Sequence, residues 1–279
     1  MRFWKMNGAG NDFLIVNNME EKIPPESYPA IARKLCERHL SVGADGFMVV
    51  ESSDTADFRM MFFNSDGSLS EMCGNGARCI ARYGYENGLA GETQTIETTA
   101  GIVRGRRISQ RQYRIRLNDP TVLKRRDITV GGTEHPCWYV ELGAPGIPHA
   151  VVPIEDLKHF DEAGLFALGK EIRRHKAFPK GANVNFFEII GEDHLFERTW
   201  ERGVEGFTYA CGTGTGSVVA VLTLLGRVSG NGVKVDMTGG QLIVDAERSG
   251  GHIENLYLTG PTNIVCRGEI ADEELQGII

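Results

Sequence analysis

The feature that most constrains this chain is a glycine-rich cysteine motif that occurs twice. It reads Cys-Gly-x-Gly at Cys73–Gly76 and again at Cys211–Gly214, which is 138 residues later in a chain of 279. A motif that recurs at about half the chain length indicates an internal duplication. The segments that flank the two copies should then correspond as well.

The flanking segments do correspond. Three further pairs align at an offset of 138 or 139 residues: Phe58–Asn64 with Phe196–Arg202, Thr99–Gly101 with Thr238–Gly240, and the strand-like run from Asn11 with the run from His149. We therefore predict an α/β (α+β) fold of two pseudo-symmetric domains, each a curled mixed or antiparallel sheet around a buried central helix. The N-terminal half is placed at 1–117, completed by a C-terminal strand at 267–279, and the C-terminal half at 118–266.

Each cysteine motif precedes a stretch that predicts the central helix. Ala77–Tyr85 and Ser217–Leu225 are apolar on almost every side, which is typical of a buried helix. Gly88 and Gly226 stand where a helix is expected to stop. The second stretch is rich in β-branched residues, which favour strands, but its glycines and its repeat partner favour a helix.

Composition excludes several classes of protein. With 30 Lys+Arg and 37 Asp+Glu, the net charge of −7 does not suit binding to nucleic acid through its phosphates. A hydrophobic content of 41% is enough for a core. No run approaches the roughly 18 apolar residues of a membrane span, and Asn11 and Asp12 interrupt any N-terminal signal region. We expect a cytoplasmic protein with reduced thiols and with neither nucleic-acid nor membrane partners.

A cysteine at each of two helix starts predicts acid-base chemistry. A helix N-terminus carries unpaired N–H groups and about half a positive charge, so we expect lowered thiol pKa values for Cys73 and Cys211. The adjacent glycines allow a carboxylate to approach the backbone amides. If the halves face each other, a thiol stands on each side of the α-carbon of a small bound carboxylate. Inversion of that carbon requires this arrangement, a base on one face and a proton donor on the other.

Other interpretations of the motifs are weaker. The remaining cysteines, Cys36, Cys79, Cys137 and Cys266, lie in apolar surroundings and are predicted to be core residues. The glycines of Gly212–Gly216 lack the spacing of a dinucleotide-binding loop. No lysine context suggests a pyridoxal Schiff base and no motif requires a metal, so we expect no cofactor. A single-thiol redox or acyl-transfer protein remains as an alternative of a different class, although no Cys-x-x-Cys motif is present.

At these residues the chain resembles the diaminopimelate epimerase family, along essentially its whole length. The resemblance lies in consecutive motifs: KMNGAGNDF (Lys5–Phe13), VGADG (Val42–Gly46), FFNSDGS (Phe62–Ser68), MCGNGARC (Met72–Cys79), PHAVV (Pro148–Val152), NVNF (Asn183–Phe186), WERG (Trp200–Gly203) and ACGTGTGS (Ala210–Ser217). It implies a cofactor-independent amino-acid epimerase, an isomerase that interconverts LL- and meso-2,6-diaminopimelate in lysine and peptidoglycan biosynthesis. It also implies a homodimer.

The resemblance implies roles for individual residues. Cys73 and Cys211 would be the acid/base pair. The residues implied to bind the amino-acid substrate are Gly74, Asn75, Gly212 and Thr213 at the reacting carboxylate, Glu201 and His149 near the reacting ammonium, and Asn11, Asn64, Asn183 and Arg202 along the cleft. Arg202 suits a distal carboxylate because its guanidinium binds carboxylates in a bidentate manner.

The chain departs from the family pattern in three places. The usual Asn-Pro-His reads Ile147-Pro148-His149, and that Asn is normally a ligand of the distal group. Gly206-Phe207-Thr208 stands where Gly-Glu-Thr is common, and Gly46 stands where some members have Gln. The first two changes concern distal specificity, so a related cofactor-independent racemase of another amino acid remains an alternative.

Overall fold

The chain divides into two compact units. The computed structural model describes residues 1–70, 73–271 and 273–278, so Met72 of the MCGNGARC motif lies outside the described residues. Unit 1 comprises Met1–Ile115 together with Gly260–Ile279, and unit 2 comprises Arg116–Thr259. The halves expected from the repeat, 1–117 with 267–279 and 118–266, remain a prediction.

Unit 1 is built on a mixed sheet. Its elements in chain order are β1 (Arg2–Gly8), β2 (Asn11–Asn17), α1 (Asn18–Glu21), a 3-10 helix (Pro25–Ser27), α2 (Tyr28–Cys36), β3 (Gly46–Glu51), β4 (Phe58–Asn64), β5 (Leu69–Ser70), α3 (Gly74–Glu86), β6 (Thr93–Thr98), β7 (Gly101–Arg107) and β8 (Gln112–Arg116). Strand β2 pairs antiparallel with β1 and parallel with β3. Strand β4 pairs antiparallel with β3 and with β5, and parallel with β6, from which β7 and β8 continue antiparallel.

Unit 2 is also built on a mixed sheet. Its elements are β9 (Pro120–Arg125), β10 (Ile128–Val130), β11 (Thr133–His135), β12 (Trp138–Leu142), β13 (Ile147–Pro153), a 3-10 helix (Leu157–His159), α4 (Glu162–Arg173), β14 (Asn183–Gly191), β15 (His194–Glu201), β16 (Gly206–Thr208), α5 (Gly212–Leu224), β17 (Val233–Met237), β18 (Gly240–Ser249) and β19 (His252–Pro261). Strand β12 pairs antiparallel with β9 and β13, and β13 pairs parallel with β14. Strand β15 pairs antiparallel with β14 and β16, and parallel with β17, from which β18 and β19 continue antiparallel. Strands β10 and β11 form a separate hairpin.

The last strand returns to unit 1. Strand β20 (Asn263–Glu269) pairs antiparallel with β1. The predicted strand at 267–279 is wrong beyond Glu269, because Glu273–Gly277 forms a 3-10 helix. Acidic residues have low strand propensity, and two of them, Glu273 and Glu274, begin this helix. Asp272 and Ile279 lie outside the described residues.

The two units repeat one arrangement of strands and helices. From β1 to β8 and from β12 to β19, omitting the short β5 and β16, the pairs are antiparallel, parallel, antiparallel, parallel and then twice antiparallel. Helices α3 and α5 each have 13 residues, and their first residues, Gly74 and Gly212, are 138 apart. The predicted fold class of two pseudo-symmetric units, each with a buried central helix, is confirmed.

Both central helices end as the sequence predicts. Gly88 and Gly226 each have a φ of +68°, a left-handed conformation that favours glycine. The N–H that follows each glycine bonds a carbonyl five residues back, at 2.9 Å from Leu89 and 2.8 Å from Arg227, which is the Schellman helix ending. Within the described residues no helix is long and apolar enough to cross a membrane.

Strand β2 of the unit 1 sheet is buried on both faces. Because successive residues of a strand point to opposite faces, Phe13 and Ile15 of β2 pack in the cluster that contains α3. Leu14 and Val16 pack in the cluster that contains α2. The nearly continuous apolar sequence of β2 follows from this double burial, which leaves α3 enclosed on the inner side of its sheet.

Candidate active site

Cys73 and Cys211 occupy the same position in their helices. Each is the N-cap residue and has extended backbone, with φ −126° and ψ 121° at Cys73 and φ −122° and ψ 104° at Cys211. The first helical bonds run from the N–H of Ala77 to the Cys73 carbonyl at 2.7 Å, and from that of Thr215 to the Cys211 carbonyl at 2.9 Å. The three amides before Ala77 and before Thr215 thus stand where helix N-termini bind anions such as carboxylates.

A chain of oriented amides lies beside the start of α3. The Arg78 Nη2 donates to Asn75 Oδ1 at 2.7 Å, and Asn75 Nδ2 donates to Asn11 Oδ1 at 2.6 Å. The chain ends on a carboxylate, because Asn11 Nδ2 donates to Asp45 Oδ2 at 3.1 Å. A donor cation at one end and an acceptor anion at the other fix the direction of both amides. The structure therefore brings together two predicted site residues, Asn11 and Asn75.

Arg78, which the sequence analysis did not single out, contacts two of the predicted site residues, Gly74 and Asn75. Its side chain is fully buried, and burial lowers the pKa of the guanidinium to about 10. A second nitrogen, Nη1, lies 3.4 Å from the Gly74 carbonyl, so Arg78 contacts the first turn of α3 twice. The available signal was an arginine inside a helix already predicted to be buried, since an arginine is almost never fully buried unless it is paired.

The surroundings of Cys211 overturn one expectation. Its Sγ lies 3.7 Å from Thr213 Oγ1 and 4.0 Å from Asn183 Nδ2. Burial raises the pKa of the Cys211 thiol well above its usual value, and the Glu201 carboxylate raises it further. The Gly214 N–H and the Thr213 hydroxyl lower this pKa without offsetting burial. The predicted lowering is therefore wrong for Cys211, which is a neutral thiol near pH 7.

Further predicted residues meet near Cys211. The backbone N–H of Arg202 donates to Asn183 Oδ1 at 2.8 Å, which turns the Asn183 amide nitrogen towards the sulfur. Glu201 Oε1 accepts from the Thr208 hydroxyl at 2.7 Å. The Arg202 guanidinium is exposed and donates to the Lys180 carbonyl at 2.9 Å. Asn183 and Glu201 thus lie near the thiol, whereas the Arg202 side chain lies at the surface.

A row of buried polar side chains lies beneath α5, and the sequence analysis identified only His149 in it. Asn185 Nδ2 lies 3.2 Å from His149 Nδ1, and Thr199 Oγ1 lies 3.2 Å from Asn185 Oδ1. The same hydroxyl lies 3.2 Å from Glu197 Oε1. All four residues are at most 2% exposed. The signal was a pair of polar residues two positions apart at the start of β14 and three polar residues at alternate positions at the end of β15.

The remaining predicted positions are spread over both units. Gly74 and Gly212 are the buried first residues of α3 and α5. Asn64 ends β4, is exposed, and donates from Nδ2 to Ser68 Oγ at 2.9 Å within its own turn. Ile147 begins β13, two residues before His149.

The four other cysteines were predicted to be core residues. Cys36, Cys79 and Cys137 are buried, which confirms the prediction. Cys266 is exposed, so its prediction is wrong. The apolar run around Cys266 forms β20, whose residues beside β1 remain largely at the surface. Among the described residues, no group of three or more His, Cys, Asp or Glu side chains could hold a metal ion.

Comparison with known families identifies the chain. A family model described as diaminopimelate epimerase matches residues 3–112 and 144–265. The chain belongs to the diaminopimelate epimerase family. The matched ranges contain both N-cap cysteines and every substrate-binding residue that the motifs implied. The family resemblance is therefore confirmed.

Relatives in this family match over nearly the full chain. A diaminopimelate epimerase of Aquifex aeolicus is 37% identical, and the alignment covers 99% of this chain and 100% of the relative. A diaminopimelate epimerase of Moorella thermoacetica is 39% identical, with 96% and 99% covered. The family assignment thus extends to both units.

Solved structures share the fold at lower identity. A phenazine biosynthesis protein of the PhzF family from Bacillus anthracis has a TM-score of 0.74 at 19% identity, covering 97% of this chain and 98% of that one. A probable proline racemase from Agrobacterium radiobacter has a TM-score of 0.68 at 17% identity, covering 98% and 93%. A hydroxyproline epimerase from Agrobacterium vitis has a TM-score of 0.68 at 16% identity, covering 100% and 94%. These likenesses concern the fold alone.

Proposed function

We propose that this chain is a cofactor-independent epimerase that interconverts LL- and meso-2,6-diaminopimelate, in lysine and peptidoglycan biosynthesis. The observation that carries the proposal is the pair of N-cap cysteines at matched positions of two central helices, in a member of the diaminopimelate epimerase family. Inversion of an α-carbon needs two groups that exchange a proton from opposite faces. Two cysteines at equivalent positions supply two such groups.

The thiols carry the proton in this proposal. In one direction the Cys73 thiolate takes the α-proton, and the Cys211 thiol gives its proton to the opposite face of the carbanion. The C–H bond that breaks leaves its electron pair on the α-carbon, and the new C–H bond uses that pair. The raised pKa of Cys211, caused by burial, supports its role as the initial proton donor. The two roles are exchanged in the reverse direction.

The α-proton of an amino acid is weakly acidic, so the developing carbanion needs stabilisation. Charge that moves onto the reacting carboxylate would be met by backbone amides at the two helix starts, at Gly74 and Asn75 and at Gly212 and Thr213. One well-placed donor of this kind contributes about 2.7–4 kcal/mol to a transition state. Glu201 and His149 would lie near the reacting ammonium.

The distal end of the substrate distinguishes diaminopimelate from other amino acids. Asn64, Asn183 and Arg202 would line this part of the site, with the guanidinium on the distal carboxylate, and Asn11 would line the cleft. Ile147 stands where the family usually has Asn, and this substitution favours one alternative, a racemase of another amino acid. We expect Ile147→Asn to lower KM for diaminopimelate and to leave kcat nearly unchanged, because the added amide binds a group remote from the reacting carbon.

Conversion of LL-diaminopimelate, followed by chiral chromatography, tests the proposal. We expect the meso isomer to form without added cofactor, and kcat/KM for diaminopimelate to exceed that for a panel of other amino acids. Turnover of another amino acid alone would favour the racemase. If no amino acid is inverted but thiol-disulfide exchange or acyl transfer proceeds, the single-thiol alternative is correct.

We further propose a cytoplasmic homodimer that acts on a small amino-acid substrate and has neither nucleic-acid nor membrane partners. Six cysteines with no disulfide among the described residues support a reducing compartment. Sedimentation equilibrium should give twice the mass of the 30.7 kDa chain. A single species of chain mass would contradict the dimer.

A further inference from the structure

In the buried row beneath α5, the hydrogen bonds fix which atom is the donor and which is the acceptor in each pair. Asn185 Nδ2 lies 3.3 Å from the Ala150 carbonyl, which only accepts, so this atom is the amide nitrogen and Oδ1 points the other way. The second N–H of Asn185 is directed at His149 Nδ1, 3.2 Å away. Nδ1 is therefore an acceptor. Burial lowers the pKa of His149 to about 3, so the ring is neutral and its one proton is on Nε2.

The hydrogen bonds at the other end of the row, at Thr199, also have a definite direction. Thr199 has one hydroxyl proton and two neighbours, Asn185 Oδ1 and Glu197 Oε1, each at 3.2 Å. Asn185 Oδ1 only accepts, so Thr199 donates to it. Thr199 must then accept from Glu197, which requires a protonated carboxyl group. Burial raises the pKa of Glu197 to about 8, which agrees with a neutral acid at pH 7.

The row also contacts the first turn of α5. A Cβ placed on Gly214 would lie 2.1 Å from Asn185 Oδ1 and 3.2 Å from Cys211 Sγ. Only a glycine at this position lets the Asn185 amide lie against the helix start. The residues that orient His149 therefore also lie against the turn that holds Cys211.

His149 keeps one donor unused. Its Nε2 is buried and has no hydrogen-bond partner among the described residues. A buried donor without a partner costs about 1–3 kcal/mol, a cost that a bound ligand with an acceptor oxygen would remove. A substrate carboxylate is such an acceptor.

We propose that Glu197, Thr199 and Asn185 are positioning residues that hold His149 with its proton on Nε2 and so present that N–H to the bound substrate. The direction of the row follows from the contacts given above, whereas its use in catalysis rests on the proposed function. A row of this direction explains why a carboxylic acid, a hydroxyl and an amide are buried together in an otherwise apolar layer.

The tautomer can be measured without any activity. In protein labelled with ¹⁵N-histidine, His149→Gln assigns the His149 signals among the seven histidines. At pH 7 we expect a pyrrole-type signal for Nε2 and a pyridine-type signal for Nδ1. A proton on Nδ1, or a charged ring, would overturn the proposal even if the enzyme is active. The expected signals in a protein without epimerase activity would instead show that the proposed function has failed.

Two variants of Thr199 test whether the row controls His149. Thr199→Val removes only the hydroxyl, so we expect a mixture of tautomers and a fall in kcat/KM of about tenfold, which corresponds to about 1.4 kcal/mol. Thr199→Ser keeps the hydroxyl and should keep both properties. Thr223→Val is the matched control, because the Thr223 hydroxyl is buried without a partner among the described residues. Unchanged tautomer and activity in folded Thr199→Val would overturn the proposal.

Variants of Glu197 test the neutral acid. Glu197→Gln replaces the O–H donor with an N–H donor, so we expect the Nε2 tautomer and kcat/KM to be retained within about twofold. Glu197→Met has no donor and should reproduce Thr199→Val. Glu197→Gln and Glu197→Met could instead show the same mixture of tautomers and the same fall in kcat/KM, with the free energy of unfolding of the wild type. Glu197 would then act as a carboxylate, which would contradict the proposal.

Discussion

At the scale of single residues, Cys73 and Cys211 share a backbone position but differ in their charged neighbours. The helix that begins at Cys73 carries the buried Arg78 guanidinium in its first turns. The thiol of Cys211 lies in the field of the Glu201 carboxylate. A cation stabilises negative charge nearby, whereas carboxylates and burial disfavour it. One duplicated motif thus places its two sulfurs in unlike surroundings.

Alkylation of Cys211 should depend on pH in a specific way. The reactive species is the thiolate, so the rate should still be rising at pH 9, because burial and Glu201 raise the pKa of Cys211 well above its usual value. Iodoacetamide labelling in a Cys73→Ala, Cys266→Ser background, read by mass spectrometry, measures this rate. We expect Glu201→Gln to shift the profile to lower pH by removing a negative charge.

The control for this prediction is Glu205→Gln, whose carboxylate is bound by the Arg173 guanidinium at 2.8 Å and is not among the groups that shift the Cys211 pKa. Its profile should match the parent. A parent profile that levels off below pH 8, or no shift in Glu201→Gln, would contradict the assignment of a neutral thiol.

The buried acid should make stability depend on pH. The pKa of Glu197 is raised from an ordinary 4.5 to about 8 by burial, so the unfolded chain loses this proton at lower pH than the folded one. The wild type should therefore lose stability relative to Glu197→Gln as pH rises from about 4.5 to about 8, by at most about 1.4 kcal/mol per pH unit. Urea unfolding at several pH values measures the difference, and a constant difference would refute a neutral Glu197.

Sequence reasoning found the cysteines because they repeat, and it missed residues that do not. Thr199 and Glu197 lie on a strand whose repeat partner, Phe58–Asn64, has no matching polar pair at those places. The pKa of Cys211 was also beyond reach, because the burial around it depends on tertiary packing. Site residues could be predicted where a sequence pattern recurs, whereas the pKa values of their side chains could not.

At the scale of elements, the central helices show what the repeat adds to local propensity. Helix α5 contains Val218, Val219 and Val221, which alone favour a strand. Its equivalence to α3 and its flanking glycines predicted a helix, and a 13-residue helix is found. Strand β20 had no such partner in the prediction, and its boundaries and the exposure of Cys266 were both wrong.

The two helix-ending glycines should be equivalent in energy. Gly88→Ala and Gly226→Ala place a Cβ on a residue with φ +68°, and nothing crowds either site, because the nearest atom is 4.0 Å from the Gly226 position. We expect each substitution to lower the free energy of unfolding by about 1 kcal/mol through backbone strain. Gly91→Ala is the control, because its φ is not in the left-handed region and its surroundings are open.

Chemical denaturation compares the three variants. We expect Gly91→Ala to change the free energy of unfolding by less than half as much as the other two, with epimerase activity retained in all three. Equal effects at Gly88 and Gly91 would show that the left-handed ending does not contribute the expected strain.

At the scale of the whole molecule, duplication accounts for the length of the chain and for its two N-cap cysteines. The repeated order of elements and the two central helices were predictable, because the pattern in each half could be compared with the same pattern in the other half. The net charge of −7 was not informative, since charge acts locally through groups such as Arg78 and Glu201. Distal specificity was not predictable either, because it depends on single side chains such as Ile147.

The proposed mechanism has two thiols that exchange the α-proton from opposite faces. It implies that neither cysteine suffices alone. Cys73→Ala and Cys211→Ala should each lower kcat by about 10²–10⁴-fold or more, the range for loss of one acid or base. Both variants should fold, because each substitution leaves the extended N-cap backbone and the following helix sequence intact.

Deuterium incorporation from the solvent tests this mechanism. LL-diaminopimelate is converted in D₂O to a low extent, and deuterium at the α-carbon is measured by mass spectrometry in the meso product and in the recovered substrate. We expect one deuterium in the product and almost none in the recovered substrate, because the donating thiol has exchanged with solvent and the other thiol holds the abstracted proton. Equal labelling of substrate and product would contradict the two-thiol account.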